Sequence, residues 1–104
     1  MVQKIVWSAE AVKNVAEIER FIKKDSPFYA ERIARQIYEK TSVLLKHPEI
    51  GMVVYEEERI KFRRILCKSY RILYCIKEDI VFIVAVFHQS KEFPESFHND
   101  NLFQ

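Results

Sequence analysis

The chain has 104 residues, 49% of them hydrophobic and 31% charged, with a formal net charge of +2. That length supports one domain, and folding should bury roughly two-thirds of the unfolded chain's surface. The composition excludes a disordered chain, and no stretch approaches the ~18 apolar residues that a membrane-spanning helix requires.

The first ten residues, MVQKIVWSAE, lack the long apolar run of a secretion signal, so a cytoplasmic location is expected. Cys67 and Cys75 have neither a CxxC spacing nor a histidine cluster beside them. No metal site is therefore expected, and two free thiols in a reducing compartment are the default. Charge is unevenly spread. No acidic residue falls between Glu58 and Glu78, while that window holds Arg59, Lys61, Arg63, Arg64, Lys68, Arg71 and Lys77. A near-neutral molecule thus carries one strongly basic region.

In chain order, Lys4-Ile5-Val6-Trp7 is a short β-prone run closed by Ser8, whose hydroxyl suits a helix N-cap. Ala11, Val15, Ile18 and Ile22 then follow the helical period, with Lys23 and Lys24 at the negative end of the helix dipole. Ser26 is a second cap, and Pro27 fits the first helical position because that amide has no intrahelical partner. Ala30, Ile33, Ala34, Ile37, Thr41, Leu44 and Leu45 predict a second amphipathic helix of about 20 residues. Pro48 and Gly51 end it, the glycine by permitting a left-handed turn. So short a link makes the two helices an antiparallel pair.

After Gly51 the period becomes alternating. Ile60, Phe62, Arg64 and Leu66 share one side, and Arg59, Lys61, Arg63 and Ile65 the other. Tyr70 to Ile76 is the next strand. Ile80 to Phe87, apolar on both sides, is a third and central one. The expected fold class is α+β: an N-terminal strand, an antiparallel helical hairpin, then a three-stranded antiparallel meander, all strands in one sheet. The hairpin should cover one face, leaving the basic strand residues visible on the other. A single domain over 1–104 is expected, with its core at about 3–93 and a tail from Pro94 that forms one helical turn or trails loosely.

Several local patterns carry a resemblance. Trp7-Ser8 with Ala11 and the Ile18/Ile22 helix resembles the start of ParE-type toxins, as does Asp25-Ser26-Pro27-x-x-Ala30 at the helix junction. Leu45-x-x-Pro48-x-x-Gly51 is similar to the family's helix-ending signature. Arg64 followed by Tyr70-Arg71-Ile72-x-Tyr74 resembles its central strand pair. Val86-x-His88-x-x-Lys91 resembles its terminal strand, where the last position is more often Arg. From about Ile5 to Lys91 the chain resembles the RelE/ParE superfamily of type II toxin–antitoxin systems, closer to the ParE-like, plasmid-stabilisation branch. The resemblance implies a growth inhibitor neutralised by a cognate antitoxin protein. ParE-type members poison DNA gyrase without a known nuclease site, whereas RelE-type members cut messenger RNA on the ribosome. It implies no cofactor, no small-molecule substrate and no membrane association.

Ribonuclease chemistry would need an acid or base and cations for the phosphorane charge. His88, with an ordinary pKa of about 6.5, suits the first role, Arg63, Arg64 and Lys61 suit the second, and Lys91, three residues on from His88, could reach the same mouth of the sheet. Arg59, Lys61, Arg63 and Arg71 are candidates for phosphate or for an acidic partner segment. Each has a structural alternative. Arg64 could be paired to a helix carboxylate, Arg71 held within its strand, and His88 a strand-end cap, while Tyr70 and Tyr74 fit core packing. RelE-type nucleases often carry a catalytic tyrosine near the last strand, and none follows His88 here. That absence and the Asp25-Ser26-Pro27 junction favour the ParE-like reading. An inactive relative that retains only antitoxin binding is the third possibility.

Overall fold

The computed structural model describes residues 2–90. The elements run β1 (Lys4–Trp7), α1 (Ala9–Lys23), α2 (Pro27–Lys40), a 3-10 helix (Thr41–Leu45), β2 (Met52–Glu57), β3 (Ile60–Cys67), β4 (Tyr70–Lys77) and β5 (Ile80–His88). The strands form one sheet in the order β1-β5-β4-β3-β2. β2 to β5 pair antiparallel, and β1 lies parallel to β5 at the edge. The α+β class and the element order agree with expectation, and β5 is flanked on both sides as its apolar run requires.

Ser8 starts α1 and joins it to the sheet. Its Oγ accepts from the Ala11 amide at 3.0 Å and donates to the Val84 carbonyl at 2.9 Å. β1 stops pairing at Ile83, which leaves the outer edge of β5 open beyond that point. Asn14 continues where β1 ends, its Oδ1 accepting from the Val86 amide at 3.0 Å. Two side chains thereby satisfy backbone groups that a longer β1 would have paired. Ser26 caps α2 through the Tyr29 amide at 3.2 Å, with Pro27 at the first turn.

The second helix is shorter than its period predicts. It tightens into a 3-10 turn at Thr41, where Thr41 Oγ1 donates to Tyr38 O at 2.8 Å and Ser42 Oγ to Glu39 O at 2.7 Å. Two successive hydroxyls drawing on the helix's own carbonyls favour the tighter winding.

The meander also has one strand more than expected. β2 pairs along the free side of β3 and is joined to it by Glu58-Arg59, both left-handed at φ 50° and 71°. Gly51 is required for a different reason than the expected left-handed turn, because its φ is not positive. A Cβ there would sit 2.6 Å from the Tyr74 hydroxyl and 2.7 Å from the Arg64 carbonyl.

Two apolar clusters lie on opposite faces of the sheet. Ala11, Val15, Ile33, Ile37 and Leu44 pack on Ile65, Ile72, Tyr74, Val81, Ile83 and Val86 beneath the helices. On the far face Phe62, Leu73, Cys75, Val84, Ala85 and Phe87 form a second cluster.

Candidate partner-binding surface

Cross-strand partners point to the same face, so the register assigns each cation to a side. Arg63 pairs with Tyr74 and therefore lies on the helix side of the sheet, as do Lys61 and Ile65 by alternation. Arg64 pairs with Leu73, and Arg71 with Phe87, which puts both on the far face. The expectation that Arg59, Lys61 and Arg63 gather on the open face is corrected here. The alternation was read properly, but the faces were exchanged, because it is Ile65 and Cys67 that meet the helices. Arg59 sits in the β2–β3 turn itself.

Arg63 is engaged by its own chain. Its Nη1 donates to Glu49 O at 3.1 Å and to Gly51 O at 2.9 Å, tying β3 to the connection before β2. Tyr74 closes the same knot from below. Its hydroxyl donates to Pro48 O at 2.7 Å and accepts from the Gly51 amide at 2.9 Å. Burial raises the Tyr74 phenol's pKa, against smaller lowering effects of the Gly51 amide and Arg63. The Pro48–Gly51 signature is thus a docking point for β3 and β4.

Arg64 makes no hydrogen bond or ion pair with another described residue, so its alternative reading as the partner of a helix carboxylate finds no such pair among the described residues. Arg71 donates to the Gln89 carbonyl, and its guanidinium stands 5.8 Å from the centre of the Phe87 ring. Arg64 and Arg71 are diagonal neighbours across β3 and β4, a relation that places residues roughly 7–8 Å apart.

His88 is on the other side. It pairs with Tyr70, against whose ring it packs edge-on at 5.7 Å. Its Nδ1 faces Ser90 Oγ at 2.7 Å and accepts from the Ser90 amide at 3.1 Å. The structure therefore separates His88 from Arg64 by the thickness of the sheet. Lys91, the remaining candidate of that set, and the tail from Pro94 lie outside the described residues. Among the described residues no three His, Cys, Asp or Glu side chains are placed to share a metal ion.

Cys67 and Cys75 are free and buried on opposite faces. Burial pushes the Cys75 thiol up to about 12, with Lys77 opposing it weakly. Cys67 is raised by burial as well, less Lys40 and Lys68.

Among the described residues, one open surface is the β2 edge. Met52 and Val53 are 55% and 41% exposed there, and β2 has no strand on its outer side. Arg59 and Lys61 stand exposed at the hairpin tip beside it. Periodicity reading missed this edge, although Met52-Val53-Val54-Tyr55 is a run of β-prone residues that would have revealed it.

A family model described as the ParE toxin of the type II toxin–antitoxin system parDE matches residues 5–93. The chain belongs to the ParE toxin family. This ParE-family chain is 30% identical over 96 residues to Y4kP of Sinorhizobium fredii, a protein named as a toxin, covering 89% of this chain and 95% of the relative. In three dimensions it is similar to a chain of a chromosomal ParDE toxin–antitoxin system from P. aeruginosa. That match has a TM-score of 0.67 at 13% identity, and covers 85% of this chain and 96% of the other. At that identity the likeness speaks for the fold. None of the described helices in this ParE-family chain is long and apolar enough to cross a membrane.

Proposed function

We propose that this ParE-family toxin acts in the cytoplasm by poisoning DNA gyrase and is neutralised by a cognate antitoxin protein. The observation that carries the choice of target is the placement of His88 and Arg64 on opposite faces of the sheet. A phosphate group undergoing cleavage must be reached by its acid or base and by its stabilising cation at once. Two groups on either side of a β-sheet do not reach one phosphate, so among the described residues His88 and Arg64 do not make one RNA-cleaving site, and Arg63, on the His88 side, is engaged by Glu49 O and Gly51 O. A gyrase poison acts by binding a protein and needs no such convergence.

The antitoxin contact follows from the free β2 edge. An extended segment adding to that edge would pair its backbone with β2, and acidic side chains on it would meet Arg59 and Lys61. The order gained by such a segment on binding suits a partner that is unfolded alone.

Purified toxin added to gyrase and plasmid DNA tests the reading. Inhibited supercoiling with trapped cleaved complexes, reversed by the small protein encoded beside the toxin, is the expected result. Cut ribosome-bound messenger RNA with unimpaired gyrase would establish the nuclease reading instead. No effect in either assay would mark an inactive relative.

A further inference from the structure

The residues just before β2 are held from two neighbouring strands at once. Arg63 of β3 stands in a row across the sheet, paired with Val53 of β2 on one side and Tyr74 of β4 on the other. Its Nη1 carries two hydrogens and meets two carbonyls, Glu49 O at 3.1 Å and Gly51 O at 2.9 Å. From the inner end of the row, the Tyr74 hydroxyl donates to Pro48 O at 2.7 Å and accepts from the Gly51 amide at 2.9 Å. These bonds fix residues 48–51, and β2 begins at Met52, the next residue.

That end of β2 depends on such a clamp. β2 is the outermost strand, and its pairing with β3 shifts register between Val53 and Tyr55. A bulge disrupts the ladder locally, so Met52 and Val53 are separated by a break from the regular pairing nearer the hairpin tip. The clamped stretch also presents apolar surface. Ile50 is 60% exposed and Met52 55%, and His47, Pro48, Glu49 and Ile50 line an open cleft there. A partner binds more weakly in proportion to the time its template spends out of place. Apolar contacts on a surface that is already fixed lose less order on binding.

We propose that Arg63 is the positioning residue of the partner-binding edge. By clamping Glu49 and Gly51 it holds residues 50–53 in the form that an extended partner segment pairs with. The inference rests on the reading of the β2 edge as the antitoxin contact, and adds to it the residue that keeps the edge ready. It gives the guanidinium a role that requires no phosphate. Its charge is spent on two carbonyls of its own chain, which are stronger acceptors for a cation than for a neutral donor.

The test uses the full chain and the small protein encoded beside it, with amide hydrogen exchange and calorimetric titration side by side. In the native chain, binding should slow exchange along residues 52–57. If it does not, the edge is not the contact, and the reading beneath this inference is the part that fails. Arg63→Gln should speed exchange at residues 51–53 of the free chain by about tenfold or more and leave the buried Ile72 and Ile83 amides unchanged. The same variant should bind the partner about tenfold more weakly. Arg63→Lys keeps a cation within reach of the carbonyls and should recover part of both losses, which a purely packing role for the side chain would not predict. Native affinity in Arg63→Gln, with residues 52–57 still protected by the partner, overturns the proposal. Weaker binding with no faster exchange at residues 51–53 overturns it as well, and so does a lysine variant no better than the glutamine. If Arg63→Gln exchanges quickly throughout, it has lost its fold, and Arg63→Met, which keeps the apolar stem, is judged by the same two readouts.

Discussion

Tyr74 and Gly51 work as a pair. The phenol is fully buried and its hydroxyl bridges Pro48 and Gly51, while the glycine has no side chain because the ring occupies that space. Tyr74→Phe leaves a buried amide and carbonyl without partners, which should cost about 1–3 kcal/mol. Gly51→Ala forces the ring or β3 aside and should cost a similar ~1–3 kcal/mol. Denaturant titration of both variants and their double mutant measures this. The double mutant should lose less than the sum, since both changes break one contact. Cys75 makes a prediction in pH. Its thiol titrates near 9.0 when unfolded and is pushed up to about 12 in the native chain. A raised native value means that its contribution is whole below pH 9.0 and is lost as pH climbs toward 12. Stability measured across that range should fall, and Cys75→Ala should make the fall shallower. Tyr74, raised by burial, acts in the same direction.

At the scale of elements, the turns explain what could and could not be read from sequence. The helices carried strong apolar periods and side-chain caps, and β3 to β5 carried alternation or unbroken apolar runs. β2 was hidden because Glu58-Arg59, both left-handed, contains neither glycine nor asparagine, the residues by which such a turn is recognised. The Glu78-Asp79 turn has the same character, at φ 53° and 63°. It was legible only because two clear strands flank it. Each left-handed residue of this kind costs roughly 1 kcal/mol. Replacing Glu78→Asn together with Asp79→Gly should therefore raise the midpoint of thermal unfolding by about 4–8 °C, corresponding to ~1 kcal/mol regained. An unchanged or lower midpoint by calorimetry would show that the acidic pair makes contacts worth as much as the strain. The faces of β3 were exchanged for a related reason. Its alternation mixes cations and apolar residues on both sides, so the pattern alone cannot say which side meets the helices.

For the whole molecule, the candidate site was less legible than the fold. Residue types pointed to His88, Arg64 and the basic run, but their grouping depends on strand register, which fixes His88 with Tyr70 on one face and Arg64 with Leu73 on the other. Arg63, one of the candidates for phosphate or an acidic partner segment, is bound to the carbonyls of Glu49 and Gly51. What remains is a toxin-family domain with a free β2 edge, two exposed cations beside it and no convergent acid–base pair among its described residues. Such a surface supports the proposed reading of a protein-binding toxin. The most direct measurement is tightly controlled expression of the lone chain, with transcript ends and gyrase–DNA cleavage complexes mapped in the same culture. Growth arrest with a DNA-damage response and cleaved gyrase complexes, unaltered by His88→Ala, is the result predicted. Arrest with transcripts cut on ribosomes, abolished by His88→Ala in a chain that stays folded, would contradict it.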